Sequence, residues 1–131
     1  MLRGFFKAPA SSANIGPGYD IFSLALANPS LKLEVSVGEG SGIQVRNTGK
    51  YGAQLSTDSQ KHAGALAASN LLKHLGLEKR VELVFEANIP PRKGLGASGA
   101  EAAAAVYGLN TLLGLKLTKA ELVRFAASAE P

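Results

Sequence analysis

The stretch 88–105 reads Asn-Ile-Pro-Pro-Arg-Lys-Gly-Leu-Gly-Ala-Ser-Gly-Ala-Glu-Ala-Ala-Ala-Ala, and it narrows the possible folds more than any other part of the chain. Before it, Val81, Leu83, Phe85 and Ala87 alternate with Glu82, Val84, Glu86 and Asn88, which predicts a strand ending at Ile89. Pro90 and Pro91 stop that strand, Gly94-Leu95-Gly96 turn the chain, and Ser98-Gly99-Ala100-Glu101 has capping-box spacing for a helix to Leu113. The first N–H groups of such a helix have no intrahelical partners. Those donors and the positive end of the helix dipole suit a phosphate, and glycine at 94 and 96 lets the backbone approach it closely. A tight turn with a serine N-cap explains the same residues without a ligand, so this segment alone leaves both readings open. The alanines at 102–105 favour a helix and let it lie close to a sheet.

Three phosphate-binding patterns compete for the segment. The Walker pattern fails, because no Gly-Lys-Ser/Thr follows four residues after a glycine. The dinucleotide fingerprint matches literally at Gly94, Gly96 and Gly99, but Pro90-Pro91-Arg92-Lys93 intervene between strand and glycines. The acidic residue at the right distance, Glu121, begins a helix instead of ending a strand. A protein-kinase glycine loop needs a following strand, and here a helix follows. Ser98 can cap a backbone N–H or point to a phosphate-bound cation, and Arg92 and Lys93 either add positive charge or are simply solvated.

Elsewhere the pattern predicts an opening strand at 2–8 and a half-buried strand at 31–37, with Leu31, Leu33, Val35 and Val37 on one face. Ile43 and Val45 follow the turn signal Gly38-Glu39-Gly40-Ser41-Gly42, which predicts a hairpin over 31–47. A helix is expected at 58–75, entered through Thr57 with Gln60 as its capping box and left at Gly76. His74 in its last turn complements the helix dipole, and for both His62 and His74 this role or plain solvation is expected. Thr118-Lys119-Ala120-Glu121 opens a last helix that is expected to run on to the chain end. The order of elements gives an α+β domain, a mixed sheet covered by helices on one side, and 131 residues fit one domain.

Composition removes several functional classes. Fourteen basic residues against ten acidic give +4, yet only Lys79 with Arg80 and Arg92 with Lys93 are adjacent, so no dense stripe follows a nucleic-acid backbone. The absence of cysteine excludes disulfides, zinc ribbons and thiol nucleophiles, and suits a reducing cytosol. Two histidines are too few for a histidine metal cage. Lys7 breaks the early apolar run, and no stretch approaches the roughly 20 residues of a membrane span, so a cytoplasmic protein is expected.

A second polar loop sharpens the functional reading. Residues 9–20 place Ser11, Ser12, Asn14 and Asp20 around Gly16-Pro17-Gly18. Asn14 offers donor and acceptor, and Asp20 can pair with an ammonium group. An Asx-rich turn accounts for the same residues structurally.

Together, Pro9-Ala10-Ser11-Ser12-Ala13-Asn14-Ile15-Gly16-Pro17-Gly18-Tyr19-Asp20 and Pro90-Pro91-Arg92-Lys93-Gly94-Leu95-Gly96-Ala97-Ser98-Gly99-Ala100 resemble two motifs of the GHMP small-molecule kinase superfamily. Within it the first motif resembles that of the homoserine kinase family, since the Gly-Glu-His type sequence of galactokinases and mevalonate kinases is missing. The resemblance covers the whole chain. It implies the N-terminal, ribosomal-protein-S5-domain-2-like lobe of the two-lobed kinase fold, with residues 1–131 as an ATP-binding domain and the C-terminal lobe absent. It implies ATP phosphates in the loop from Pro90 to Ala100, Mg²⁺ on Ser98 and Glu130, and L-homoserine on Asn14 and Asp20.

The implied reaction phosphorylates the homoserine hydroxyl on the way to threonine, with no residue named as general base. A homodimer is a further expectation, whereas nucleic acid and membrane are not expected as partners. The family's later His-x-Asp-Asn-like segment, second glycine-rich motif and arginines are not in this chain, so an N-terminal fragment, inactive alone, is expected. Another GHMP kinase, or a non-catalytic S5-like binding module, is the alternative.

Overall fold

Alternation of apolar and polar side chains becomes a four-stranded mixed sheet in the computed structural model, which describes residues 2–9, 30–54, 57–87 and 97–129. The strands are β1 (Leu2–Pro9), β2 (Ser30–Gly38), β3 (Ile43–Thr48) and β4 (Arg80–Ala87). The helices are α1 (Ala63–Leu75), α2 (Ala97–Leu113) and α3 (Lys119–Ala127). Leu31, Leu33, Val35 and Val37 of β2 face the core with Val81, Leu83, Phe85 and Ala87 of β4, all at most 2% exposed. Antiparallel register sets Leu33 opposite Phe85, Val35 opposite Leu83 and Val37 opposite Val81. Each of these large buried side chains contributes roughly 1.5–3 kcal/mol of transfer free energy. The helices cover this face, while Lys32, Glu34, Glu82, Val84 and Glu86 stand on the other, exposed or half-buried. Among the described residues no helix is long and apolar enough to cross a membrane.

The sheet order is β1-β2-β4-β3, which corrects the expected hairpin over 31–47. β2 does not pair with β3; β4 lies between them, antiparallel to β2 and parallel to β3. The turn at 39–42 makes this possible because it arches over the start of β4, where the Gly42 carbonyl accepts from the Val81 amide at 3.0 Å. Gly40 and Gly42 take φ of 123° and 97°, in the region that favours glycine, within the turn that carries the chain from one side of β4 to the other. Parallel pairing of β3 with β4 needs a crossover, and α1 is that crossover.

Helix ends differ from expectation in three places. Residues 58–62 are not part of α1, because the Asp58 carboxylate accepts from the Gln60 amide at 2.9 Å and the Asp58 carbonyl accepts from the Lys61 and His62 amides. His62, extended at φ −83° and ψ 124°, caps α1 in place of Thr57. α2 begins at Ala97, so Ser98 is inside the first turn instead of flanking it. α3 stops at Ala127 with Ser128 as its C-cap, and so does not continue to the chain end. The expected stop at Gly76 is present, in left-handed conformation at φ 65°. The Thr118 capping box is also present, its hydroxyl accepting from the Glu121 amide at 3.1 Å while the Glu121 carboxylate accepts from the Thr118 amide at 3.0 Å. Those hydrogen bonds hold the Glu121 carboxyl below its ordinary pKa.

α2 is buried almost all round. Ala100, Glu101, Ala102, Ala103, Ala104, Ala105, Val106 and Leu109 are each at most 5% exposed, and the helix touches β1, β2, α1 and α3. Gly108 sets its distance from the sheet: a Cβ there would lie 2.9 Å from the Val35 Cγ2 and 3.0 Å from the Phe6 ring. Gly108→Ala gains about 1 kcal/mol of helix propensity but adds roughly 1–3 kcal/mol of overpacking, so a net loss of stability is expected on urea unfolding. Thr118→Ala should cost about 1 kcal/mol in the same measurement. A Gly108→Ala protein more stable than the parent would contradict this close packing.

Candidate functional site

The carboxyl ends of the parallel pair β3 and β4 lie at the same end of the sheet as the start of α1. The start of α2 joins them there, since Gly64 of α1 packs beside the Glu101 carbonyl. Parallel strands whose carboxyl ends meet helix N-termini are where α/β layers hold ligands. The segment 88–96 connects the two anchors, Ala87 ending β4 and Ala97 starting α2.

Most residues singled out by sequence lie outside the described residues: Asn14, Asp20, Pro90, Pro91, Arg92, Lys93, Gly94, Leu95, Gly96 and Glu130. Of the others, the backbone of Ala97 and Ser98 forms the first turn of α2, Gly99 is half-exposed and Ala100 is buried. The turn thus faces the core on one side at Ala100 and is open on another at Gly99. The β4 anchor is held from β3 and the residues just after it. The Tyr51 amide donates to the Ala87 carbonyl at 2.9 Å, and the Thr48 hydroxyl donates to the Phe85 carbonyl at 3.2 Å.

The sequence reading missed a buried polar group at this end. His62 is 2% exposed, against the solvated or dipole-complementing role expected for it. Its Nδ1 accepts from the Gly64 amide at 3.0 Å, which leaves the ring proton on Nε2, 3.0 Å from the Asn47 Oδ1 that accepts it. The ring stacks on Phe85 with centroids 4.7 Å apart and planes at 30°. Asn47 is in turn closely backed by Gly52, where a Cβ would meet the Asn47 carbonyl carbon at 2.9 Å. The signal available in the sequence was faint: a histidine directly before the small-residue run Ala63-Gly64-Ala65, a run that closes against something bulky. His74 does stand in the exposed last turn of α1 as expected, edge-on to Phe125 at 5.1 Å.

Burial lowers the His62 pKa from 6.5 to about 4. A proton on Nδ1 would also remove the acceptor that caps Gly64. Between these two values the unfolded chain binds more protons than the folded one, so folding stability rises with pH across that window. The contribution is complete above pH 6.5 and is lost by about 3 kcal/mol as pH falls towards 4. Urea unfolding at pH 7 and pH 4.5 checks this: the parent should lose more stability than His62→Asn between the two, and equal losses would contradict it.

Comparison with known proteins agrees with this geometry. The GHMP kinases N terminal domain family matches residues 61–131. The homoserine kinase of Methanococcus vannielii is 33% identical over 123 residues, covering 94% of this chain and 41% of the relative. That of Thermoplasma acidophilum is 38% identical over 124 residues, covering 95% of this chain and 38% of the relative. The crystal structure of homoserine kinase from Cytophaga hutchinsonii superimposes with a TM-score of 0.84 at 28% identity, over 99% of this chain and 41% of that one. Lactococcus lactis galactokinase shares the fold at a TM-score of 0.70 and 18% identity, over 98% of this chain and 37% of that one. The chain therefore spans about 40% of the length of the curated relatives it matches. With more than half of its residues inside the family match, the chain belongs to the GHMP kinase N-terminal domain family.

Proposed function

We propose that this chain is the N-terminal, ATP-binding lobe of a kinase that phosphorylates the hydroxyl of L-homoserine to O-phospho-L-homoserine. The observation that carries the reading is the likeness to homoserine kinases along 94–95% of the chain, which includes both polar loops. The galactokinase and mevalonate kinase structures, at 18% and 22% identity, support the fold without bearing on the substrate. ATP and L-homoserine are the ligands in this reading, and the absence of cysteine suits work in the cytoplasm.

The chemistry asked of the lobe is alignment and charge neutralisation. The bond between the γ-phosphorus and the ADP oxygen breaks, a bond to the homoserine oxygen forms, and the hydroxyl proton passes to solvent. Residues 92–96 and the first turn of α2 are to offer backbone N–H groups and the positive helix end to the phosphates. Ser98 and Glu130 supply two oxygen donors, the type and number that suit Mg²⁺ beside nucleotide phosphates. Bound there, the ion would neutralise charge on the transferring group. Asn14 and Asp20 hold the amino acid, Asp20 against its ammonium group.

Given ATP, Mg²⁺ and L-homoserine, the protein carrying this lobe should form ADP and O-phosphohomoserine one for one, and should leave galactose and mevalonate untouched. Ser98→Ala should lower turnover on the order of 100-fold. Phosphorylation of another alcohol in that panel would replace homoserine with that substrate, and full activity of Ser98→Ala would remove the serine from its role.

A further inference from the structure

A loop that cradles phosphates works only if its two ends are held at a constant separation. Here one end is Ala87 on β4 and the other is Ala97 on α2, and these elements are not hydrogen-bonded neighbours in a sheet. The sheet relates them through β2, which pairs with β4 and carries α2, and a second set of contacts, nearer the loop, runs through the start of α1. The His62 ring lies on Phe85, two residues before Ala87, and its Nε2 reaches Asn47 on β3. Through Nδ1 the same ring fixes the Gly64 amide. Gly64 then sits between Phe85 and α2: a Cβ at this position would fall 2.5 Å from the Phe85 Cζ and 3.1 Å from the Glu101 carbonyl oxygen. One imidazole thus sets where α1 stands against β4, and the absent side chain of Gly64 lets α2 close onto both at Glu101, one turn from its start.

We infer that His62, acting through Gly64 and Phe85, is a positioning residue for the nucleotide site, holding the β4 and α2 ends of the loop 88–96 in register for ATP. This rests on the proposed reading that the loop receives ATP phosphates, and it does not depend on which alcohol is phosphorylated. It gives the buried histidine a part in nucleotide affinity beyond capping a helix.

The test is calorimetric titration of the protein with ATP and Mg²⁺, comparing the parent with His62→Asn, Gly64→Ala and Thr118→Ala. Asparagine is a good N-cap, so His62→Asn keeps an acceptor for Gly64 while losing the stack on Phe85. Gly64→Ala keeps the histidine and forces α1 away from Phe85 and Glu101. Thr118→Ala destabilises α3 at a distance from these contacts and serves as the control for stability alone. At a temperature where circular dichroism shows every variant folded, ATP affinity should fall about 10-fold or more in His62→Asn and Gly64→Ala and stay within twofold of the parent in Thr118→Ala. If one of the two does not fold, Phe85→Leu takes its place with the same expectation. Parent-like ATP affinity in the folded His62→Asn and Gly64→Ala proteins would overturn the inference and leave the proposed function standing. A parent that binds no ATP would instead overturn the reading on which it rests.

Discussion

Everything in this lobe depends on how closely α2 can approach its neighbours. A helix that touches β1, β2, α1 and α3 leaves little room for long side chains over its buried stretch, and from Ala100 to Val106 every residue but Glu101 is alanine or valine. Dispersion attraction falls off so steeply that a gap of an ångström forfeits much of it, and interiors are packed accordingly. Alanine and glycine give up hydrophobic area per residue, but they let backbones and large partners such as Phe85, Leu33 and Val35 meet without voids. Alanine is also the best helix former, so at these positions local preference and tertiary packing agree, whereas Gly108 gives up helix propensity for close approach.

Against that apolar background the buried imidazole of His62 is costly unless satisfied, and both of its nitrogens are. The protein uses one residue for tasks usually divided: it leaves the Asp58 turn, caps a helix, ties the end of β3 to that helix and fills space against an aromatic ring. Such a group tolerates little change, because removing either partner leaves a buried donor or acceptor unpaired.

What the sequence made legible was periodicity and punctuation. Alternation marked β2 and the start of β4 to within a residue, the expected end of β4 at Ile89 lying outside the described residues, while Gly76 marked a helix end and Thr118 with Glu121 a helix start. These signals are local, and their physics is complete within a few residues. Pairing is not local. The alternation of 31–37 and 43–45 specifies which face is buried and is silent on which strand lies alongside, so proximity in sequence suggested a hairpin that β4 displaces. His62 was misread for the same reason: Phe85 and Asn47, which give it a buried role, are 23 and 15 positions away in sequence. The candidate site was legible as two motifs with definite chemistry, and the structure adds the anchors of one of them and the contacts that relate those anchors.

The insertion of β4 between β2 and β3 bears on how the chain reaches this state. During synthesis from the N-terminus, β2 and β3 are both available before the residues of β4 exist, joined by a short glycine turn. The edge of β2 that finally belongs to β4 is at that stage open to β3, and the nearby strand is the kinetically accessible partner. Reaching the native sheet then requires that edge to be kept free or to be vacated when β4 and the helix before it arrive.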